Sequence, residues 1–124
     1  MRILLAIGTG SFLGGIARYL MSRWFQGMFL TAFPIGTLSV NIVGSFLIGL
    51  FYGFFDRAPL LNSEIRMFLT VGFCGGFTTF STFANENLML LREGNFYYMV
   101  LYMFFSLFLG LLATFLGYQL TKML

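Results

Sequence analysis

The chain has 124 residues, of which 59% are hydrophobic and only 9% are charged, and its formal net charge is +3. With a mean hydropathy of +0.90, this composition excludes a soluble redox enzyme and gives no basis for nucleic-acid binding. One cysteine and no histidine exclude an internal disulfide and leave no transition-metal site.

The apolar blocks predict an all-α membrane protein with one domain, because a spanning helix needs about 20 residues and the chain has room for roughly four. The predicted spans are residues 3–23, 35–55, 65–91 and 96–121. Pro34 precedes the second, and Asn62 or Ser63 can cap the third. Gly94 suits the end of the third span. The N-terminal run has no cleavage motif of a signal peptide and is assigned to the first span.

The first span contains one charged residue away from its ends, Arg18, and no carboxylate. Arg18 either extends its guanidinium to the membrane interface or places a positive charge at a vestibule, where it would concentrate anions. The missing carboxylate counts against a small proton-coupled exporter of four spans, which would need an acidic residue to exchange protons for a cationic substrate.

In the second span, the amide side chain of Asn41 lies in the middle of the apolar stretch, within residues 36–44. An unsatisfied amide there would cost a few kcal/mol, so the side chain must have a partner. Two interpretations remain open: the amide bonds another helix, or its NH₂ group donates to an anion.

The third span is broken at residues 72–83, Gly-Phe-Cys-Gly-Gly-Phe-Thr-Thr-Phe-Ser-Thr-Phe. Three glycines destabilise the helix, and the hydroxyls that follow offer the backbone alternative partners. Irregular backbone within a bilayer is tolerated only where it is buried in protein or lines a wet cavity, so the break predicts an ion or substrate site. Cys74 is most simply a small packing residue. Glu86, further along, can pair with Arg18 or face a vestibule.

Hydroxyl groups also mark the fourth span. Ser106 and Thr114 are eight residues apart, close to one helix face, and can form a polar ladder beside Tyr102. Each hydroxyl can instead bond back to its own helix.

Positive charge is nearly balanced across the predicted membrane, with four basic residues on one side (Arg2, Arg57, Arg66 and Lys122) and three on the other (Arg18, Arg23 and Arg92). Because the Lys/Arg excess of short loops sets orientation, neither orientation is strongly favoured. The balance predicts an antiparallel pair with a twofold axis in the membrane plane, and a weakly biased single orientation is the alternative.

Three motifs resemble the Fluc fluoride channels: residues 14–19 around Arg18, residues 36–44 through Asn41, and above all residues 72–83 followed by Glu86. The resemblance covers almost the whole chain. It implies a dual-topology homodimer of four-helix subunits, with two antiparallel fluoride pores and one structural sodium ion on the dimer axis.

The resemblance also implies roles for single residues. Sodium would be held by the backbone carbonyls of Gly75 and Thr78. The pore would be lined by Asn41, Phe80, Phe83 and Thr114. Some family members have serine where this chain has Gly110, and Ser106 is expected to compensate.

The chemistry of fluoride is compatible with this reading, because a small and tightly hydrated anion needs donors to replace its water. Amide and hydroxyl donors are available from Asn41, Ser81, Thr82 and Thr114. Aromatic ring edges are positive and can face an anion. We therefore expect a passive, non-enzymatic channel that exports fluoride from the cytoplasm across the cell (inner) membrane. A multidrug or cation transporter and a structural membrane protein are the alternatives.

Overall fold

The four apolar blocks form helices long enough to cross a membrane, as the sequence predicts. The computed structural model describes residues 1–124 and contains no β-strand. Its membrane-spanning segments are Arg2–Gly27, Ile35–Arg57, Ser63–Arg92 and Phe96–Met123. The prediction of an all-α protein with four spanning helices is confirmed, and the chain is a multi-pass membrane protein.

Three spans are continuous helices and the third is composite. In chain order the elements are α1 (Arg2–Gly27), α2 (Ile35–Arg57), α3 (Ser63–Met67), a π-helix (Phe68–Cys74), α4 (Gly75–Phe77), α5 (Phe80–Arg92) and α6 (Phe96–Met123). The third span therefore changes its helical geometry twice before it is interrupted.

Helix ends follow the local chemistry of the sequence. Asn62 caps α3 by accepting the N–H of Glu64 at 2.6 Å, which satisfies one of the free donors of the first turn. Asn95 caps α6 in the same manner. Between α5 and α6, Gly94 has a φ of 76°, a conformation that suits glycine at the end of a helix.

Small residues allow the helices to approach one another closely. A Cβ atom on Gly10 of α1 would lie 2.5 Å from the carbonyl oxygen of Phe68 in the π-helix. A Cβ atom on Gly49 of α2 would lie 2.9 Å from the carbonyl carbon of Thr114 in α6. The first span is thus packed against the first half of the third, and α2 against α6, through backbone contacts that larger residues would prevent.

The break lies at Thr78 and Thr79, between α4 and α5. Both residues are extended, with φ and ψ of −89° and 157° at Thr78 and −148° and 122° at Thr79. The Thr79 hydroxyl accepts the N–H of Thr82 at 3.2 Å and so begins α5. Two consecutive extended residues offset α5 from α4 and expose backbone groups inside the bundle.

Candidate functional site

An open cavity of about 650 Å³ lies beside the break, between α2, the third span and α6. Six residues with predicted site roles line it: Asn41, Gly75, Thr78, Phe80, Phe83 and Ser106. No lysine or arginine lines it. The fold thus brings a side-chain amide, a free hydroxyl, two aromatic rings and broken-helix backbone to one place.

Asn41 reaches from α2 to the break and binds the backbone of Thr79 twice. Its Nδ2 donates to the Thr79 carbonyl at 3.1 Å, and its Oδ1 accepts the Thr79 N–H at 2.9 Å. The half-buried amide therefore has the protein partner that the sequence requires, and one N–H of its NH₂ group is left over for another acceptor.

The break changes the pairing of several carbonyl groups. In a continuous α-helix the N–H of Thr79 would donate to Gly75, and that of Thr82 to Thr78. Here the first donates to Asn41 and the second to the Thr79 hydroxyl. The carbonyls of Gly75 and Thr78 are thereby released from the helical ladder, and both residues line the cavity.

Neighbouring carbonyls at the break are taken by other donors. Arg18 Nε donates to the Gly76 carbonyl at 3.1 Å. The Cys74 carbonyl accepts both the N–H and the hydroxyl of Thr78, each at 2.9 Å. Backbone carbonyl oxygens without a hydrogen-bond partner suit a hard cation. The carbonyl oxygens of Gly75 and Thr78 therefore fit sodium better than any softer metal.

Two phenylalanines flank the cavity on α5. Phe80 is 78% exposed in the single chain, and its ring centroid lies 5.7 Å from that of Phe83. Phe83 in turn lies 4.9 Å from the ring of Tyr102, at an interplanar angle of 57°. The three rings form a continuous aromatic row in which tilted geometry presents ring edges as well as faces.

The predicted hydroxyls fall into two groups. Ser106 Oγ is shielded from solvent, has no hydrogen-bond partner and lines the cavity. Thr114 lies in the contact between α6 and α2, where its hydroxyl is within 3.0 Å of the Ser45 carbonyl and 3.1 Å of the Gly110 carbonyl. Thr114 does not line the cavity of the single chain.

Ser81 and Thr82, which were predicted to offer donors along the pore, lie in the first turn of α5 beside the cavity rather than in its lining. Ser81 is exposed, and its hydroxyl is 3.5 Å from that of Thr79. Thr82 is half-buried. Their roles in the pore stay predictions.

Glu86 binds two hydroxyl groups at the far end of the aromatic row. Tyr102 donates to one carboxylate oxygen at 2.7 Å, and Thr37 donates to the other at 3.0 Å. Glu86 also lines a second cavity, of about 320 Å³, together with Glu93 and Gln26. Glu86 is not paired with Arg18, which donates to the Gly76 carbonyl at the break. The placement of Glu86 at a vestibule stays a prediction.

The sequence interpretation did not assign a role to Ser45, which lines the main cavity one helical turn beyond Asn41. The spacing of four residues from Asn41 was the available signal, because such residues share a helix face. The sequence interpretation also did not identify Glu86 as the partner of Tyr102 and Thr37. These residues lie on different spans, and nothing in the sequence shows that two hydroxyl groups so far apart in the chain bond the same carboxylate.

Comparison with known proteins assigns the chain to a family. Residues 5–118 match the family described as CrcB-like protein, Camphor Resistance (CrcB). A protein of Chlorobium chlorochromatii (strain CaD3) named "Fluoride-specific ion channel FluC" is 46% identical over 114 residues, covering 92% of this chain and 88% of that protein.

Further relatives carry the same name. The protein of Bacteroides fragilis (strain YCH46) is 48% identical over 122 residues, which cover 94% of each chain. That of Flavobacterium psychrophilum is 40% identical over 122 residues, which cover 98% of each. The chain therefore belongs to the CrcB (Fluc) family.

Proposed function

We propose that the protein is a passive, fluoride-selective ion channel that exports fluoride from the cytoplasm. The relatives named as fluoride-specific channels align with nearly the whole chain, which supports the same activity here. The observation that carries the proposal is the cavity at the break, where the unpartnered hydroxyl of Ser106 lies with the rings of Phe80 and Phe83.

The chemistry of the lining suits a dehydrating anion. Fluoride that leaves water must gain new hydrogen bonds, and donors that are only partly used can supply them. Ser106 and Asn41 line the cavity, and we propose that the remaining N–H of Asn41 serves as a donor there and that Ser81, Thr82 and Thr114 extend the polar path. A fixed cation in the lining would hold fluoride tightly, whereas weak, distributed donors let it leave.

We propose that a structural sodium ion binds the released carbonyls of Gly75 and Thr78. Two neutral carbonyls are too few for sodium, so a twofold axis through this point would double the number of ligands. Replacement of sodium by a large organic cation throughout purification should lower dimer stability. Equal stability in the two cations would count against the ion.

The functional unit is proposed to be an antiparallel homodimer with two pores in a lipid bilayer. The near balance of basic residues supports dual orientation, and the open cavity in the single chain supports a second copy as its cover. Two lysines added to one loop should fix one orientation and depress function, and a copy biased in the opposite direction should restore it. Full activity of each biased chain alone would refute dual topology.

Arg18 and Glu86 are proposed to lie at the vestibules of the pore. Glu86 lines the smaller cavity near the ends of α1 and α5, and Arg18 places a positive charge close to the break. The Glu86 carboxylate accepts hydrogen bonds from two hydroxyl groups, whose dipoles partly offset its field, so that it repels an approaching anion less than a free carboxylate would.

Fluoride efflux from liposomes containing the purified protein tests the proposed activity. A channel should release fluoride rapidly down its gradient, with chloride retained and without a proton gradient. Uptake of an organic cation driven by protons would instead indicate a multidrug or cation transporter, and no flux of any ion would indicate a structural protein. The absence of carboxylates within Arg2–Gly27 makes proton-coupled export the weaker expectation.

A further inference from the structure

We propose that Asn41 is a positioning residue for the broken helix: its amide takes up the N–H of Thr79 and so keeps the Gly75 carbonyl available to a cation. The inference rests on the sodium site proposed above and adds to it a residue on a different span. It gives the side chain of Asn41 a second role beside that of a pore donor.

The geometry of the pairing fits a side-chain amide closely. In extended backbone the N–H and the carbonyl of one residue point to the same side, as in a hydrogen-bonded pair of a β-ladder. Thr79 is extended, and the Asn41 amide presents its acceptor and donor side by side at 2.9 and 3.1 Å. The side chain thus satisfies both backbone groups of Thr79 as a neighbouring strand would.

The position of α2 makes this reach possible. A Cβ atom on Gly44, three residues beyond Asn41, would lie 3.1 Å from Cδ2 of the Phe77 ring, so α2 lies directly against the end of α4. A short asparagine side chain can therefore span the gap. A longer amide would have to fold back, and a hydroxyl has no arrangement in which it donates and accepts at these two points.

Loss of this pairing would change one cation ligand specifically. Without Asn41 Oδ1, the natural acceptor for the Thr79 N–H is the Gly75 carbonyl four residues earlier, which a continuous helix would use. The Thr78 carbonyl is released independently, because the N–H of Thr82 is held by the hydroxyl of Thr79. Asn41 thus controls one of the two proposed ligands and leaves the other unchanged.

The test measures sodium binding through dimer stability, separately from fluoride flux. The thermal unfolding midpoint of the purified full-length protein is titrated with sodium chloride against N-methylglucamine chloride at constant ionic strength. Asn41→Ala should weaken the apparent sodium affinity by about 10- to 100-fold, the loss typical when a residue that orients a metal ligand is removed. Ser39→Ala, another polar change on α2, is the matched control and should leave the sodium midpoint unchanged.

Asn41→Asp separates the two roles of the side chain. Aspartate loses the donor to the Thr79 carbonyl but keeps an acceptor for the Thr79 N–H, which is the contact that leaves the Gly75 carbonyl free. The apparent sodium affinity should therefore be no weaker than that of the wild type. Its negative charge lies in the anion path, so fluoride efflux should fall sharply. This variant also decides the question if Asn41→Ala does not fold, because a weaker sodium affinity in Asn41→Asp would overturn the inference.

The remaining outcomes are also decisive. A wild-type sodium midpoint in Asn41→Ala would overturn the positioning role and leave the sodium site standing. No effect of sodium on the wild type would overturn both, while fluoride efflux from liposomes would still report whether the protein is a channel.

Discussion

Replacement of Ser106 by alanine should lower fluoride flux without lowering the stability of the fold. Ser106 Oγ is shielded from solvent and has no partner, and an unsatisfied buried polar group costs about 1–3 kcal/mol. Its removal should therefore leave the free energy of unfolding unchanged or raise it by up to that amount. An alanine also leaves little empty space, since only one oxygen atom is lost.

The effect on flux follows from the donor that fluoride would lose. A hydrogen bond to a charged group contributes about 1.5–3 kcal/mol, which corresponds to a decrease of roughly tenfold to 150-fold if the loss falls on the transport barrier. Fluoride efflux from liposomes measures this directly with a fluoride electrode. Thermal unfolding of the same preparation in detergent gives the stability.

Thr114→Val is the matched control on the same helix. The Thr114 hydroxyl already lies within hydrogen-bond distance of two carbonyls, and such bonds between membrane helices contribute about 0.6 kcal/mol on average. We expect a small loss of stability and a smaller loss of flux than in Ser106→Ala. Flux at the wild-type level in Ser106→Ala would refute the assignment of Ser106, and a large loss of stability would mean that its hydroxyl has a partner in the assembled protein.

Two further sets of variants examine the aromatic row and the carboxylate beside it. Phe80→Ile and Phe83→Ile should each cut fluoride efflux strongly, because the ring edges are lost. The dimer should keep its elution volume in size-exclusion chromatography, because the apolar volume of the side chain is roughly kept. Flux near the wild-type level in both variants would mean that the rings only pack. Tyr102→Phe should lower the free energy of unfolding by about 1.5–3 kcal/mol, since Glu86 loses a donor to its charged form. The control Tyr97→Phe, at a side chain that is 71% exposed, should change nothing, and equal stability of the two variants would contradict a structural role for the Tyr102 hydroxyl.

Local sequence signals were sufficient for the spans and for the position of the break. Hydropathy determines which segments can cross a membrane, and the predicted cap at Asn62 depends on neighbouring residues only. The cap of α6 at Asn95 was not predicted. The glycines and hydroxyls of residues 72–83 likewise act on the backbone beside them. The π-helix at Phe68–Cys74 was not predicted. Its geometry accompanies the close approach of α1 at Gly10, which is a contact between distant segments.

Six of the predicted residues line one cavity, and their roles stay predictions, whereas the sequence did not determine which hydrogen-bond partners these side chains have. The resemblance named Asn41, and the sequence left open whether its amide bonds protein or anion; the structure has it bonded to Thr79. The same holds for Glu86, whose donors come from two other spans. Such pairings depend on how helices rotate about their axes, and a chain that is apolar on nearly every face gives that rotation no periodic signal.

The division between used and unused donors bears on how an anion could pass without being trapped. The hydroxyls of Thr37 and Tyr102 donate to Glu86. The Asn41 amide uses its oxygen and one of its two N–H groups to bond Thr79. The residues that line the cavity offer neutral donors, among them the free hydroxyl of Ser106 and the second N–H of the Asn41 amide. Each can replace part of the hydration of fluoride, and none is a full charge, so binding at any one point stays weak enough for the ion to move on. Because two hydrogen bonds to Thr79 fix the orientation of the Asn41 amide, they also fix the direction of its remaining N–H, so we expect the pairing at the break and the donor offered to an anion to depend on one another.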